Sequence, residues 1–120
     1  MIGIDLIEVD RVDKSEAFLN KIANNSEIDY INKSKCENLR RQRIAALFCV
    51  KEAVLKALGT GLSDGISIKD VELFHQEKGK PYVKLTGKAF EIFENNFKGK
   101  KIEISISHTQ NYATAIAIII

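Results

Sequence analysis

Three charged residues interrupt an otherwise apolar helical segment between Phe48 and Ala57 of this 120-residue chain. At about 100° per residue along a helix, Lys51 falls in the middle of an apolar stripe, whereas Glu52 and Lys56 lie together on its flank. The stripe consists of Ile44, Leu47, Phe48, Val54, Leu55 and Leu58. Because so apolar a helix is mostly buried, its charges are costly unless they are paired or used for chemistry.

These charges have a structural and a functional interpretation. In the first, Glu52 and Lys56 form an i, i+4 pair worth about 0.2–0.5 kcal/mol, and Lys51 extends its amine to the surface. In the second, one carboxylate and two amines gather at a site for a metal ion and an anion. The rest of the sequence has to decide between them.

A second carboxylate lies inside a predicted strand. Residues alternate between two faces from Ile2 to Val9, and one face carries Gly3, Asp5, Ile7 and Val9. Asp5 thus lies on a largely apolar face near the middle of the strand, where aspartate has a low propensity. Either nearby backbone N–H groups satisfy this carboxylate, or the residue is present for its chemistry.

The elements that position these residues follow from periodicity and capping signals. A long helix is predicted from about Glu37 to Leu58, with Gly59 as its C-cap and a glycine-rich loop at 59–65. Shorter helices are predicted to begin at Asp13 with Glu16 and at Ser26 with Asp29, and a fourth helix at Lys88–Phe97. Further strands are predicted at Ile68–Phe74, Tyr82–Thr86, Lys101–Ser107 and Tyr112–Ile120. The last two strands form a hairpin, and the final strand is apolar enough on both faces to be central or covered.

Composition indicates one ordinary globular domain, residues 1–120. Hydrophobic residues make up 45% and charged residues 28% of the chain, and the net charge of +2 is too balanced for a general nucleic-acid-binding surface. Cys36 and Cys49 lack metal-ligand spacing and, without a signal-peptide pattern, fit a reducing cytoplasm. The longest apolar run, residues 113–120, is too short to cross a membrane.

Five short motifs, taken in order, resemble the 4′-phosphopantetheinyl transferases, and specifically the small bacterial type of that family. They are Gly3-Ile4-Asp5, Phe48-x-x-Lys51-Glu52-Ala53-x-x-Lys56-Ala57, Gly59-Thr60-Gly61, Gly79-Lys80-Pro81 and Ser107-His108-Thr109. The first motif alone is a weak signal, whereas the helical motif followed by Gly-Thr-Gly is strong. The likeness covers essentially the whole chain.

The resemblance implies a fold, a reaction and an assembly. The fold is α+β, with a small antiparallel sheet packed against one long buried helix and shorter helices. The reaction transfers the 4′-phosphopantetheine arm of coenzyme A to a serine of an apo-acyl carrier protein, with Mg²⁺ as cofactor and adenosine 3′,5′-bisphosphate as the second product. This is a step of fatty acid biosynthesis, and the small family type forms a homotrimer with active sites between subunits.

Site residues are carried over motif by motif. The family match makes Asp5 and Glu52 the metal ligands and catalytic residues, together with Lys56 and Lys51. It assigns coenzyme A binding to Lys56, Gly59, Thr60, Gly61, Lys80, Pro81 and His108. General chemistry agrees, because Mg²⁺ prefers one or two carboxylates with phosphate oxygens and water, and amines neutralise a pyrophosphate. Lys51 supports either the phosphates or the carboxylates, and either Glu52 or a metal-bound water takes the serine proton.

One departure from the family pattern concerns the nucleotide. Leu47 occupies the place of an arginine that commonly precedes the phenylalanine of the helical motif, and Arg43 lies one helical turn earlier. Carrier proteins are acidic, so a basic docking surface is expected. Arg11 matches a docking arginine of the family, and Lys14 and Lys21, seven residues apart, are expected on the same helix face.

Two other functions compete with the transferase. One is a Mg²⁺-dependent pyrophosphatase that cleaves a nucleotide or coenzyme A without any carrier protein. The other is a non-catalytic subunit that binds coenzyme A or a carrier protein. The presence of Asp5, Lys51, Glu52 and Lys56 argues against a loss of turnover.

Overall fold

The computed structural model describes residues 1–63 and 65–120, so Asp64 of the predicted loop 59–65 lies outside the described residues. Its helices are α1 (Glu16–Ile22), α2 (Asn25–Asn32), α3 (Glu37–Leu58) and α4 (Gly87–Asn96). Its strands are β1 (Ile2–Glu8), β2 (Val71–His75), β3 (Pro81–Leu85), β4 (Ile102–His108) and β5 (Tyr112–Ile119). Short 3-10 turns occupy Val9–Arg11 and Ile68–Asp70.

The strands form two antiparallel sheets, one of three strands in the order β1-β5-β4 and one hairpin of β2 and β3. The prediction that the final strand is central is confirmed, because β5 pairs with both β1 and β4. The α+β class is confirmed as well. The structure differs in dividing the strands between two sheets.

The long helix α3 is the centre of the molecule, and its predicted bounds are confirmed. Its first apolar turns pack with α1 and α2, and its last turns pack with the sheets and α4. Gly59 ends the helix in the left-handed conformation at φ 82° and donates its N–H to the Lys56 carbonyl, as a glycine C-cap does. Burial on most sides explains why the last four turns of α3, from Ile44 onward, are apolar almost all round.

Small residues let α3 lie close to the three-stranded sheet. The face of β5 toward the helix carries Ala113, Ala115 and Ala117, which are all buried. On β1 a side chain at Gly3 would overlap the Ala53 carbonyl oxygen, and its Cβ would lie 2.6 Å from the Ala57 nitrogen. The backbone of β1 therefore touches the backbone of α3, a contact that only glycine permits.

The outward face of the same sheet is apolar and exposed. Ile2, Ile4 and Leu6 are 62%, 61% and 66% exposed, and they pair across the sheet with Ile118, Ile116 and Thr114. The predicted alternation of β1 is thus confirmed. No helix within the described ranges 1–63 and 65–120 has the length and apolar character needed to cross a membrane.

Three predicted boundaries are wrong because local side chains cap the backbone elsewhere. The N-cap of α1 is Ser15, whose Oγ accepts the Phe18 N–H at 3.1 Å. Helix α2 begins after Asn24, whose N–H donates to Glu27 at 2.8 Å. The strand predicted from Ile68 begins only at β2, because the Asp70 carboxylate accepts the Ser67 N–H and closes a 3-10 turn first.

We expect Gly3→Ala to destabilise the protein by about 1–3 kcal/mol or more, because the added methyl group must force β1 away from α3. Urea unfolding at fixed protein concentration measures the change. Ser105→Ala, on an exposed position of β4, is the control and should unfold like the wild type. A Gly3→Ala protein of wild-type stability would show that this backbone contact is not a constraint.

Candidate active site

Asp5, Glu52 and Lys56 meet where β1 crosses the last turns of α3. The Lys56 amine lies 3.0 Å from an Asp5 carboxylate oxygen and donates a second hydrogen bond to the Ile4 carbonyl at 3.0 Å. Thr114 of β5 fixes the backbone of Asp5 by donating its hydroxyl to the Asp5 carbonyl at 2.8 Å. Two predicted carboxylates and one predicted amine are therefore brought together from distant parts of the chain.

The two carboxylates repel each other in partly buried surroundings. Burial raises the pKa of Glu52, and the negative charge of Asp5 raises it further, whereas Lys56 acts in the opposite direction. Only 15% of the Asp5 side chain is exposed, against 52% for Lys56. The site consequently has more negative charge than its single lysine neutralises, which favours the binding of a cation.

A neighbouring thiol is not an activated nucleophile. Burial and the adjacent Asp5 carboxylate raise the pKa of Cys49 to about 12, and its Sγ donates toward the Ala113 carbonyl at 3.6 Å. A thiol with so high a pKa stays protonated at neutral pH, and nucleophilic attack requires the thiolate.

The donor set suits a magnesium ion better than a fully protein-coordinated metal. Over residues 1–63 and 65–120, no three His, Cys, Asp or Glu side chains cluster closely enough to enclose a metal. Asp5 and Glu52 instead provide two carboxylates, and Mg²⁺ commonly takes its other ligands from water and substrate phosphates. The residues present therefore fit that ion.

The predicted loop residues Gly59, Thr60 and Gly61 follow directly on the turn that carries Lys56. Gly61 is also left-handed, at φ 58°, and the Thr60 hydroxyl makes only a long bond of 3.4 Å to the Gly61 carbonyl. Because two of these three residues are glycines, the loop exposes mainly its backbone where it follows the turn that carries Lys56. The helix C-terminus itself repels anions, so Lys56 has to supply the attraction.

The structure does not bring Lys51 to this group. Its amine is completely buried, donates to the Ile22 carbonyl at 2.6 Å and pairs with Glu27 at 2.9 Å. Burial lowers the pKa of Lys51 and the Glu27 carboxylate counteracts this effect. The expectations that Lys51 reaches the surface, or joins Asp5 and Glu52, do not match this placement.

Glu27, which pairs with Lys51 and lines the cavity described below, is a residue that the sequence analysis did not single out. Its carboxylate accepts the Asn24 N–H at the start of α2, the Leu73 N–H of β2 at 2.7 Å and the Lys51 amine of α3. The sequence feature that indicates this role is the capping box Asn24-x-x-Glu27, but the helix was predicted to begin at Ser26 instead. One buried ion pair thus joins α2, α3 and β2.

A separate cavity of about 230 Å³ lies beside the middle of α3. Pro81 and His108 line it, together with Arg43, Leu47 and aromatic residues. The Arg43 guanidinium lies 4.5 Å from the ring centre of Tyr30, on which His75 stacks at 4.2 Å. Lys80 lies nearby on the β2–β3 turn, exposed and 3.9 Å from Glu103.

The two groups of predicted site residues occupy different places in one chain. His108 bonds to Gln42 of α3, whereas Lys56 lies in the last turns of that helix, beside Asp5. The cavity nevertheless comes close to the carboxylates, because Leu47 precedes Glu52 by five residues and Ile106 pairs with Ala115, the strand partner of Asp5. None of Asp5, Glu52 and Lys56 lines the cavity itself.

The predicted docking residues lie near the start of α1 but do not form one helical face. Arg11 is 81% exposed and lies 3.6 Å from Glu8. Lys14 precedes α1 and donates to the Asp10 carbonyl at 3.3 Å, whereas Lys21 lies in the last turn of α1. The expectation of a shared face for Lys14 and Lys21 is therefore wrong, because the helix starts at Glu16.

Family comparison agrees with this fold and this arrangement of motifs. The family model described as the 4′-phosphopantetheinyl transferase superfamily matches residues 1–117. The chain belongs to that superfamily, which confirms the resemblance drawn from the five motifs.

Individual relatives are more specific. The holo-[acyl-carrier-protein] synthase of Fusobacterium nucleatum is 42% identical, over 99% of this chain and 97% of the relative. The Thermoanaerobacter sp. protein of the same name is also 42% identical, over 99% of this chain and 86% of the relative. The Helicobacter pylori holo-[acyl-carrier-protein] synthase, solved in complex with coenzyme A, superposes with a TM-score of 0.82 at 28% identity and full coverage of both chains.

We expect Lys51→Met to destabilise the fold by about 3–5 kcal/mol, because it leaves the Glu27 carboxylate buried without its partner. Adding Glu27→Gln removes that charge and should restore part of the lost stability. Urea unfolding measures both variants. Lys56→Met, on the same helix but with its side chain 52% exposed, is the comparison variant and should cost clearly less than Lys51→Met, because water reaches the Asp5–Lys56 pair. Equal costs for the two lysines would contradict the structural role of Lys51.

Glu52→Gln should make the metal-free protein more resistant to heat at pH 8 but not near pH 4. The folded protein raises the pKa of Glu52 above its ordinary value of 4.5, so the wild type loses stability as pH rises through the raised pKa. Below the ordinary value the carboxyl group is protonated both folded and unfolded, and the difference disappears. Thermal unfolding in EDTA measures it, with exposed Glu91→Gln as control. A lower melting temperature for Glu52→Gln at pH 8 would contradict the charge excess.

Proposed function

We propose that this chain transfers the 4′-phosphopantetheine arm of coenzyme A to a serine of an apo-acyl carrier protein. The serine oxygen forms a bond to the phosphorus that bears the arm, and adenosine 3′,5′-bisphosphate leaves. The observation that carries the proposal is the convergence of Asp5, Glu52 and Lys56 in a chain that is similar over its length to holo-[acyl-carrier-protein] synthases. The reaction belongs to fatty acid biosynthesis in the cytoplasm, and the two free cysteines fit that compartment.

Asp5 and Glu52 are the residues that would hold Mg²⁺. When bound, the ion neutralises charge on the pyrophosphate of coenzyme A. The excess negative charge between the two carboxylates supports this assignment, because it is a cost that a cation removes.

Lys56 is suited to bind the same phosphates. Its amine gives two of its hydrogen bonds to Asp5 and to the Ile4 carbonyl, and an ammonium group has three donors. Half of the side chain is exposed, so the third donor can bind a phosphate oxygen. Glu52, with its raised pKa, is the better placed of the two carboxylates to accept the serine proton.

The cavity beside His108 and Pro81 is the proposed site for the nucleotide end of coenzyme A. Arg43 lines that cavity together with Leu47, and its guanidinium is held over Tyr30. The positive charge of Arg43 thus lies one helical turn before Leu47, the position where the family commonly has arginine. This arrangement supports Arg43 as the replacement.

We further propose a homotrimer with sites between subunits, as the family resemblance implies. The cavity lined by His108 and Pro81 does not include Asp5, Glu52 or Lys56. A neighbouring subunit would add its own cavity to the carboxylates of the first. The exposed apolar face of Ile2, Ile4 and Leu6 supports such contacts, because exposed patches of this kind mark interfaces.

Mass spectrometry of an apo-carrier protein incubated with this protein, coenzyme A and Mg²⁺ tests the proposal. The carrier should gain the mass of one phosphopantetheine arm, and the Glu52→Gln variant should lose at least about a hundredfold in rate, since it removes a charged ligand of the site. Native mass spectrometry of the enzyme should give three subunits. Cleavage of coenzyme A with no gain in carrier mass would identify a pyrophosphatase, and binding without any product would identify a binding subunit.

Arg11→Glu should raise the Michaelis constant for the carrier protein severalfold and leave coenzyme A binding unchanged. Arg11 is exposed on the rim near β1, and rim charges mainly change the rate of association and its salt dependence. Wild-type activity should therefore fall with salt more steeply than that of the variant. Lys101→Glu is the control, because it makes the same reversal of charge at an exposed lysine next to β4. If Arg11→Glu instead weakens coenzyme A binding, Arg11 belongs to the nucleotide site.

A further inference from the structure

The imidazole of His108 is held by a residue that no motif contains. At the end of β4, His108 Nδ1 lies 2.7 Å from the Gln42 side-chain oxygen of α3. An amide oxygen can only accept a hydrogen bond, so Nδ1 must carry the proton of this contact. The other ring nitrogen, Nε2, is then the one that remains for a ligand in the cavity that His108 lines.

We propose that Gln42 is a positioning residue that fixes the Nδ1–H form of His108, so that Nε2 binds a phosphate group of coenzyme A only when it is protonated. The inference rests on the proposed function, because that function supplies the ligand. It adds a residue and a pH dependence that the family motifs do not contain. Gln42 acts through His108 and does not itself touch the ligand.

The chemistry follows from the two states of Nε2. In the neutral ring Nε2 has only a lone pair, which repels a phosphate oxygen, whereas protonated Nε2 donates a charge-assisted hydrogen bond. Gln42 is uncharged, so it orients the ring without holding the proton on Nε2. Affinity for a phosphate ligand should therefore fall when a rise in pH removes that proton.

The other ionisable groups that line the cavity have partners of their own. Glu27 of α2 is bound to Lys51, and Arg43 of α3 keeps its charge at every relevant pH. Burial, and then the charge of Arg43, lower the pKa of His75 on β2, which favours its neutral form. Tyr30 packs against both Arg43 and His75. His108 is the ring whose nitrogen is held by Gln42.

Two measurements on the full-length protein test the proposal. Nitrogen-15 NMR of the imidazoles, of which the chain has two, reports which ring nitrogen carries the proton at pH 7.5 without ligand, and His75→Phe assigns the signals. Calorimetry with adenosine 3′,5′-bisphosphate gives the affinity at pH 6 and pH 8. The wild type should show the Nδ1–H form and bind the bisphosphate more weakly at pH 8 than at pH 6.

Substitutions at position 42 separate its roles. Gln42→Leu removes the acceptor, so the Nδ1–H form should no longer dominate and affinity at pH 6 should fall severalfold. Gln42→Glu keeps the acceptor and adds a negative charge that favours the imidazolium, so it should preserve tight binding to a higher pH than the wild type. Titration of the ligand's own phosphates is common to all variants and cancels in the comparison. Gln110→Leu, an exposed glutamine near the same strand end, should match the wild type.

The outcomes distinguish this inference from the function on which it rests. Binding that does not depend on pH, a wild-type ring protonated at Nε2 only, or a Gln42→Leu protein identical to the wild type would each overturn the role of Gln42 and leave the transferase intact. Failure of the bisphosphate to bind the wild type at either pH would overturn the proposed nucleotide site itself, and this inference with it.

Discussion

Backbone contact between β1 and α3 is the constraint on which the site depends. At Gly3 there is no room for a side chain, because a Cβ there would overlap the carbonyl oxygen of Ala53. The small alanine side chains of β5 likewise let the helix lie close to the sheet. At that separation a residue two positions after Gly3 points directly at the helix. Asp5 therefore lies against Lys56 and beside Glu52, and a wider gap would leave these charges in solvent.

The same helix uses its charges in two different ways. The cost of burying the Lys51 charge is offset, because Glu27 and a backbone carbonyl accept hydrogen bonds from the amine. The cost of partly burying the Glu52 charge is not offset, because the nearby Asp5 carboxylate is also negative and Lys56 is half exposed. The first arrangement ties elements together and the second leaves a charge for a ligand to neutralise. Lys51 and Glu52, about 100° apart around α3, thus differ in their surroundings: the first is buried and paired, and the second keeps a charge that no neighbour fully neutralises.

Sequence patterns predicted the elements well because periodicity and glycine caps are local. The bounds of α3, the alternation of β1 and the central position of β5 all follow from such patterns. Lys51 was misplaced for the opposite reason, since its partner Glu27 lies 24 residues away and only packing of α2 on α3 brings them together. Gln42 was missed likewise, because its contact with His108 joins residues 66 positions apart. Sequence motifs predicted that Asp5, Glu52 and Lys56 belong together, as the structure places them, while the residues that hold neighbouring side chains in place depend on tertiary contacts.

Helix α3 connects the chemistry to the proposed assembly. Its middle, at Arg43 and Leu47, lines the cavity, whereas its last turns bring Glu52 and Lys56 against Asp5 of β1. The buried residues of these last turns form a rigid scaffold that fixes where the two charged side chains lie. Burial of the apolar β1 face against another subunit would cover Ile2, Ile4 and Leu6, and in the proposed assembly it would also bring the cavity of a second subunit to the carboxylates of the first.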